Sequence, residues 1–144
     1  MNLPHLTVLN MSHNKITKIP DSLFGFIHLR LLDLSFNKIE NVPSFISLFP
    51  DLRKLDLSHN EISKIPSSIN NLKKLEKLNL SHNKISHLPL SLGNLESLQV
   101  LIARENPLQL DTEVMITMGL ALTAVTLNES RFVSTNVKLL SEIF

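Results

Sequence analysis

Leucine and isoleucine alternate with polar residues along this chain in a phrase that returns every 23 residues. It reads LTVLNMSHNKI from Leu6, LRLLDLSFNKI from Leu29, LRKLDLSHNEI from Leu52, LEKLNLSHNKI from Leu75 and LQVLIARENPL from Leu98. The shared form is LxxLxLxxNxL, with Met11 and Ala103 standing in for one leucine. Where leucines alternate, a short strand turns one face inward and leaves the residues between them outward. One strand per period, laid beside the next, predicts a parallel sheet with neighbours about 4.8 Å apart. A period of this length therefore predicts one coil repeated into a solenoid, a single domain over 1–144.

The second half of each period repeats as well. Ile16, Ile39, Ile62 and Ile85 are followed by Ile19, Val42, Ile65 and Leu88, each just before Pro20, Pro43, Pro66 or Pro89. Proline there sets the backbone for a turn and opens a short helix without wasting a donor. Two further rows, Leu23, Ile46, Ile69, Leu92 and Phe26, Phe49, Leu72, Leu95, complete the set expected in the core. Asn14, Asn37, Asn60, Asn83 and Asn106 close the phrases. An asparagine carries both an amide donor and a carbonyl acceptor, so this row predicts a ladder that bonds loop backbone of its own coil and the next. Burying such a group unpaired costs roughly 1 to 3 kcal/mol, which favours mutual satisfaction.

Both ends depart from the pattern. Leu3 lies 23 residues before Phe26 and shares its row, so the first coil is entered part-way and its strand is expected to lack a cap. An open sheet edge invites association, and self-association through this end is one expectation. Past Asn106, Thr112 stands where the prolines stood, Met115 in the row of Leu92 and Met118 in that of Leu95. Residues 112–144 then admit two readings. Leu122, Val125, Leu127, Ser130 and Phe132 fit a degenerate sixth phrase at a spacing of 24, with a final helical piece over 136–144. The alternative is a helical cap, residues 112–127 forming one helix started by Asp111 or Thr112 and weakened by β-branched Thr123, Val125 and Thr126. The uncharged stretch 114–128 is shorter than the roughly 20 residues a membrane helix needs, so no membrane insertion is expected.

Composition narrows the chemistry. The chain has 144 residues, 43% of them hydrophobic, enough to bury about two thirds of its unfolded surface. A net charge of +1 speaks against nucleic acid or an anionic membrane as the main partner. Gly25, Gly93 and Gly119, the only glycines, leave no phosphate-cradling loop. No amino-terminal segment has the basic-then-apolar pattern of a signal peptide. Sequons occur at Asn10, Asn79 and Asn128, two of them inside the phrase itself.

Function must come from residues the coil does not require. Outward strand positions form columns: Val8, Leu31, Lys54, Lys77, Val100; then Asn10, Asp33, Asp56, Asn79, Ile102; then a low column of Ser12, Ser35, Ser58, Ser81 and Arg104. Beside them run His13, Phe36, His59, His82 and Glu105. A broad, polar, shallow surface with a few large side chains suits a protein partner better than a small molecule. Leu31, Asp33, Phe36, Lys54, Asp56, His59, Lys77, His82 and Arg104 are the candidate contact residues. His59 and His82 are expected about 5 Å apart on adjacent strands. With only Glu105 as a third ligand in that column, no metal and no other cofactor is expected. The serines repeat in register with no distinct acid to orient a base, so no catalytic triad is read here.

The run from Leu3 to Leu108, with IPSSI at Ile65 and LPLSL at Leu88, resembles the intracellular leucine-rich repeats with 23-residue coils. That class includes Ras-group and Ras-suppressor scaffold repeats and the repeat segments of adenylate cyclases and protein phosphatases. The resemblance implies an α/β fold, a right-handed solenoid with a concave parallel sheet, one short strand per repeat, and turns or short helices on the convex side. It also implies a non-catalytic protein-binding module in signalling or scaffolding, with no catalytic residue to carry over. The alternative is a regulatory segment of a larger signalling enzyme of phosphatase or cyclase type. Secreted members usually close their ends with disulfides; this chain has no cysteine, which implies a cytoplasmic setting. Phrases such as LDLSHN are common throughout the family, so the deviations Phe36, Lys54, Lys77 and Arg104 carry more information than the serines and histidines.

Overall fold

The computed structural model describes residues 3–109, 124–126 and 132–134. Five short strands, β1 (Val8–Asn10), β2 (Leu31–Asp33), β3 (Lys54–Asp56), β4 (Lys77–Asn79) and β5 (Val100–Ile102), lie side by side in chain order. All pair in parallel, and each register step is one sequence period: Leu9 faces Leu32, which faces Leu55, then Leu78 and Leu101. Between strands the chain makes a five-residue 3₁₀ helix, at Asp21–Gly25, Ser44–Leu48, Ser67–Asn71 and Leu90–Asn94.

Each 3₁₀ helix begins directly after a proline held at φ between −72 and −67°. The proline needs no donor there, and its carbonyl accepts the first turn's bond, from Leu23, Ile46, Ile69 or Leu92, at 3.1 Å in each of these four coils. Those four donors are also the buried residues of their helices. The core is a filament between sheet and helices, filled by strand-centre leucines, Leu34, Leu57 and Leu80, and the row Phe49, Leu72, Leu95. The same positions in the first coil, Leu6, Leu9, Met11, Ile16 and Phe26, are only partly buried, since they pack against one neighbouring coil instead of two.

The asparagine row has one correction to the expected partners. Asn60 accepts from the Ile39 N–H at 3.0 Å and donates to the carbonyls of Leu34, Leu57 and Ser58 at 3.0, 3.1 and 3.2 Å. Asn37, Asn83 and Asn106 repeat this pattern. Among the described residues each side chain therefore ties its own coil to the preceding one, and Asn37, Asn60 and Asn83 make no side-chain bond to the next. Asn14, in the first coil, is exposed and its amide donates to Met11 and Ser12 of its own coil.

Beyond β5 the sheet continues with β6 (Ala124–Thr126), parallel to β5 at a step of 24 residues, Leu101 facing Val125. These three residues are strand, so a helix does not run through them. β7 (Phe132–Ser134) then pairs antiparallel with β6, whereas the sequence pattern placed Phe132 after the asparagine position of a sixth coil. The linker 127–131 explains the reversal, because a parallel return needs a crossover of about a dozen residues or more and a hairpin needs only a few. The rest of 110–144, including Met115, Met118 and the expected final helical piece, lies outside the described residues.

Candidate functional site

The outward positions of β2, β3 and β4 surround a shallow depression of about 170 Å³ lined by Leu31, Leu32, Asp33, Lys54, Leu55, Asp56, Lys77 and Asn79. Strand register makes this site: Leu31, Lys54 and Lys77 are successive partners, as are Asp33, Asp56 and Asn79. Lys54 and Lys77 are exposed and form no ion pair among the described residues. Like charges directly opposite on neighbouring strands are destabilising, so the pair is a feature the fold tolerates rather than uses. Elsewhere the coils do neutralise such columns. Arg53 meets Glu76 at 2.7 Å, Lys74 meets Asp51 at 2.6 Å and Lys84 meets Glu61 at 2.9 Å, each one period apart. Lys74 and Lys84 accordingly hold the Asp51 and Glu61 carboxyls below the usual range.

The acidic column is already engaged. One oxygen of Asp56 accepts both the Ser58 N–H at 2.9 Å and the Ser58 hydroxyl at 2.6 Å, and the other accepts from Asn79 at 3.3 Å. Asp33 holds Ser35 in the same way, and Asn79 holds Ser81. The serine column is thus not a low outward face: Ser35, Ser58 and Ser81 are buried. Their hydroxyls lock the chain as it leaves the strand, and none is presented to a histidine as a nucleophile would be.

Immediately after each serine or its equivalent the backbone turns left-handed. His13, Phe36, His59, His82 and Glu105 all have φ of 53 to 56°. That conformation costs a non-glycine residue roughly 1 to 2 kcal/mol, and here the ladder past the strands holds it. The N–H groups of Phe36, His59 and His82 donate to the carbonyls of Ser58, Ser81 and Arg104 in the following coil. One consequence is a stack of rings: His13 on Phe36 at 4.3 Å, Phe36 on His59 at 4.0 Å and His59 on His82 at 4.0 Å, within 12° of parallel. Face-to-face rings aim their nitrogen lone pairs outward in their own planes, not at a common point between them. Among the described residues no three histidine, aspartate or glutamate side chains converge as a metal site would require.

Burial, followed by the neighbouring His82 charge, pushes the His59 imidazole below its ordinary pKa; Asp56 pulls it back, while Arg104 and His13 add to the depression. The folded state therefore prefers neutral His59, and the unfolded chain takes up the proton first as pH falls. Its contribution to stability is full above the ordinary histidine range and declines below it, from about pH 7 toward pH 5. His59→Phe, which keeps a stacking ring and removes the titration, is expected to lose less of its urea midpoint between those pH values than the wild type. Equal losses would contradict this.

The structure gathers Leu31, Asp33, Lys54, Asp56 and Lys77 in the depression and Phe36, His59 and His82 in the adjoining stack. Arg104 is exposed at the far end of the stack, outside the depression. Sequence reasoning omitted Asn79 and His13 from the site, although both occupy its columns. It also omitted an apolar group on the opposite side, where exposed Phe24 meets Phe45 edge-on at 6.0 Å and Leu48 is exposed; a break in the polar sequence of the turn helices was the available signal.

The leucine rich repeat family pattern matches residues 1–39 and 50–108. The chain belongs to the leucine-rich repeat family. Among solved leucine-rich repeat structures, a leucine-rich repeat protein of Leptospira interrogans is 33% identical with a TM-score of 0.77 over 88% of this chain. PEPR1–AtPEP1 is 30% identical with a TM-score of 0.72 over 85%, and internalin C2 of Listeria monocytogenes 27% identical with 0.73 over 87%. The chain spans 32%, 18% and 53% of those three chains, respectively. A comparison with curated proteins gives no match. No helix among the described residues of this leucine-rich repeat chain is long and apolar enough to cross a membrane.

Proposed function

We propose that this leucine-rich repeat is a non-catalytic module that binds a protein partner on its sheet face, in intracellular signalling or scaffolding. The observation that carries the reading is the lysine pair Lys54 and Lys77. Two like charges stand adjacent and without an ion pair among the described residues, over a depression whose acidic neighbours are already bonded to serine. A partner's opposite charge would relieve them, giving both attraction and orientation. Phe36, 43% exposed in the ring stack, is the aromatic anchor beside them, with Leu31, Asp33, Asp56, His59, His82 and Arg104 around it. PEPR1, similar in fold, is seen with AtPEP1, which supports partner binding by such a solenoid. The absence of cysteine supports the intracellular setting.

Affinity capture tests this with immobilised wild type, the triple variant Phe36→Ala, Lys54→Glu, Lys77→Glu, and the opposite-face variant Phe24→Ser, Leu48→Ser. All are exposed positions, and equal urea midpoints would verify equal folding. The expected result is a protein retained by the wild type and the opposite-face variant and lost by the triple variant. Retention by the triple variant together with loss from the opposite-face variant would place binding on the 3₁₀ side and refute the reading.

A further inference from the structure

The outward column through the depression has an order of its own. Across the five strands it runs Val8, Leu31, Lys54, Lys77, Val100, an apolar residue at each side of a basic pair. Val8 is 55% exposed, and Leu31 and Val100 are half-buried, so apolar surface remains available on both flanks. Neighbouring strands lie about 4.8 Å apart, which puts the point midway between Lys54 and Lys77 one and a half spacings, about 7 Å, from Leu31 and equally far from Val100. An extended peptide places residues i, i+2 and i+4 on one face, with about 6.6 to 6.8 Å between successive members. The two repeats match when such a segment lies along the column, crossing the strands.

We infer that the partner of this face is an extended protein segment carrying an acidic residue flanked two positions away on each side by an apolar residue, its carboxylate seated between Lys54 and Lys77 and its apolar side chains on Leu31 and Val100. This rests on the sheet-face reading above and specifies its ligand. One carboxylate shared by two ammonium groups offsets the repulsion of two lysines that no ion pair relieves among the described residues. The adjoining column selects against a uniformly acidic segment, because it sets two further carboxylates beside the seat, Asp33 two residues beyond Leu31 and Asp56 two beyond Lys54. The intervening residues of the segment point away from the sheet and are unrestricted. Apolar flanks on either side of the seat also distinguish a peptide from a phosphate chain, whose charges would follow one another without interruption.

A phage-displayed library of random twelve-residue peptides, panned on the folded full chain, tests this. The wild type is expected to enrich the pattern apolar, any, acidic, any, apolar, and Lys54→Glu, Lys77→Glu to lose it in favour of a basic residue at the centre. A synthetic peptide of the enriched sequence should bind Leu31→Ser, Val100→Ser about tenfold more weakly, and its acidic-to-amide version should bind the wild type about tenfold more weakly. Enriched peptides that need Phe36 or Lys54 but lack this spacing would overturn the inference and leave the sheet-face reading standing. Peptides lost only by Phe24→Ser, Leu48→Ser would overturn both. No enrichment over a blank surface would overturn the inference.

Discussion

Asn60→Ala is expected to lower stability by about 3 kcal/mol, against about 1 kcal/mol for Ser58→Ala two residues earlier. The asparagine is 8% exposed and serves one donor and three acceptors of the backbone. Truncation leaves the buried Ile39 N–H without its acceptor and removes the tie from Asn60 to the Leu34 carbonyl, which keeps only the Asn37 amide of its own coil. Ser58 is also buried, but its loss removes a single hydroxyl donor to Asp56, and the Asp56 carboxylate keeps the Ser58 N–H and the Asn79 amide. Urea midpoints of the two variants measure the difference. Equal midpoints would contradict the ladder as a coil-to-coil tie.

Phe49→Ala is expected to cost about 3 to 5 kcal/mol, the range for emptying a buried aromatic site. The ring is 1% exposed and is the largest fully buried side chain among the described residues. Leu72 and Leu95 occupy the same row in the following coils, so Phe49→Leu is expected to cost about 1.5 kcal/mol or less, the row accepting either shape. Phe26→Ala, in the same row but partly exposed, should lie between them. Because stability in a solenoid is shared between neighbouring coils, loss at the central site should also weaken the coils on both sides. Thermal unfolding of the three variants provides the ranking, and Phe26→Ala exceeding Phe49→Ala would refute it.

The strands, inward rows and proline turns were legible because each is written several times in one register. A single period-two phrase is ambiguous; five with identical spacing are not. The columns of the candidate surface followed from the same register, which is why Lys54 and Lys77 could be placed side by side from sequence. The left-handed corner was not legible. Histidine tolerates positive φ, but nothing local marks Phe36 or Glu105 for it; at Phe36 it is the N–H bond to Ser58 of the following coil that holds the turn. The serines misled because an outward strand position is not necessarily solvent-facing: an aspartate or asparagine two residues earlier folds over each hydroxyl and buries it. The direction of the asparagine ladder depends on which coil's carbonyls face the amide, a matter of three-dimensional offset. Antiparallel β7 is likewise set by a short linker, against the expectation carried over from the repeat.

Photocrosslinking tests most directly whether the sheet face is where a protein binds. A benzophenone amino acid placed at Leu31 in one protein and at Leu90, exposed on the 3₁₀ side, in another reports which face a captured partner covers. Binding on the proposed sheet face predicts a crosslinked product from the Leu31 position that disappears with Lys54→Glu, Lys77→Glu, and little from the Leu90 position. A product from Leu90 alone, insensitive to the lysine changes, would contradict the assignment of function to the sheet face.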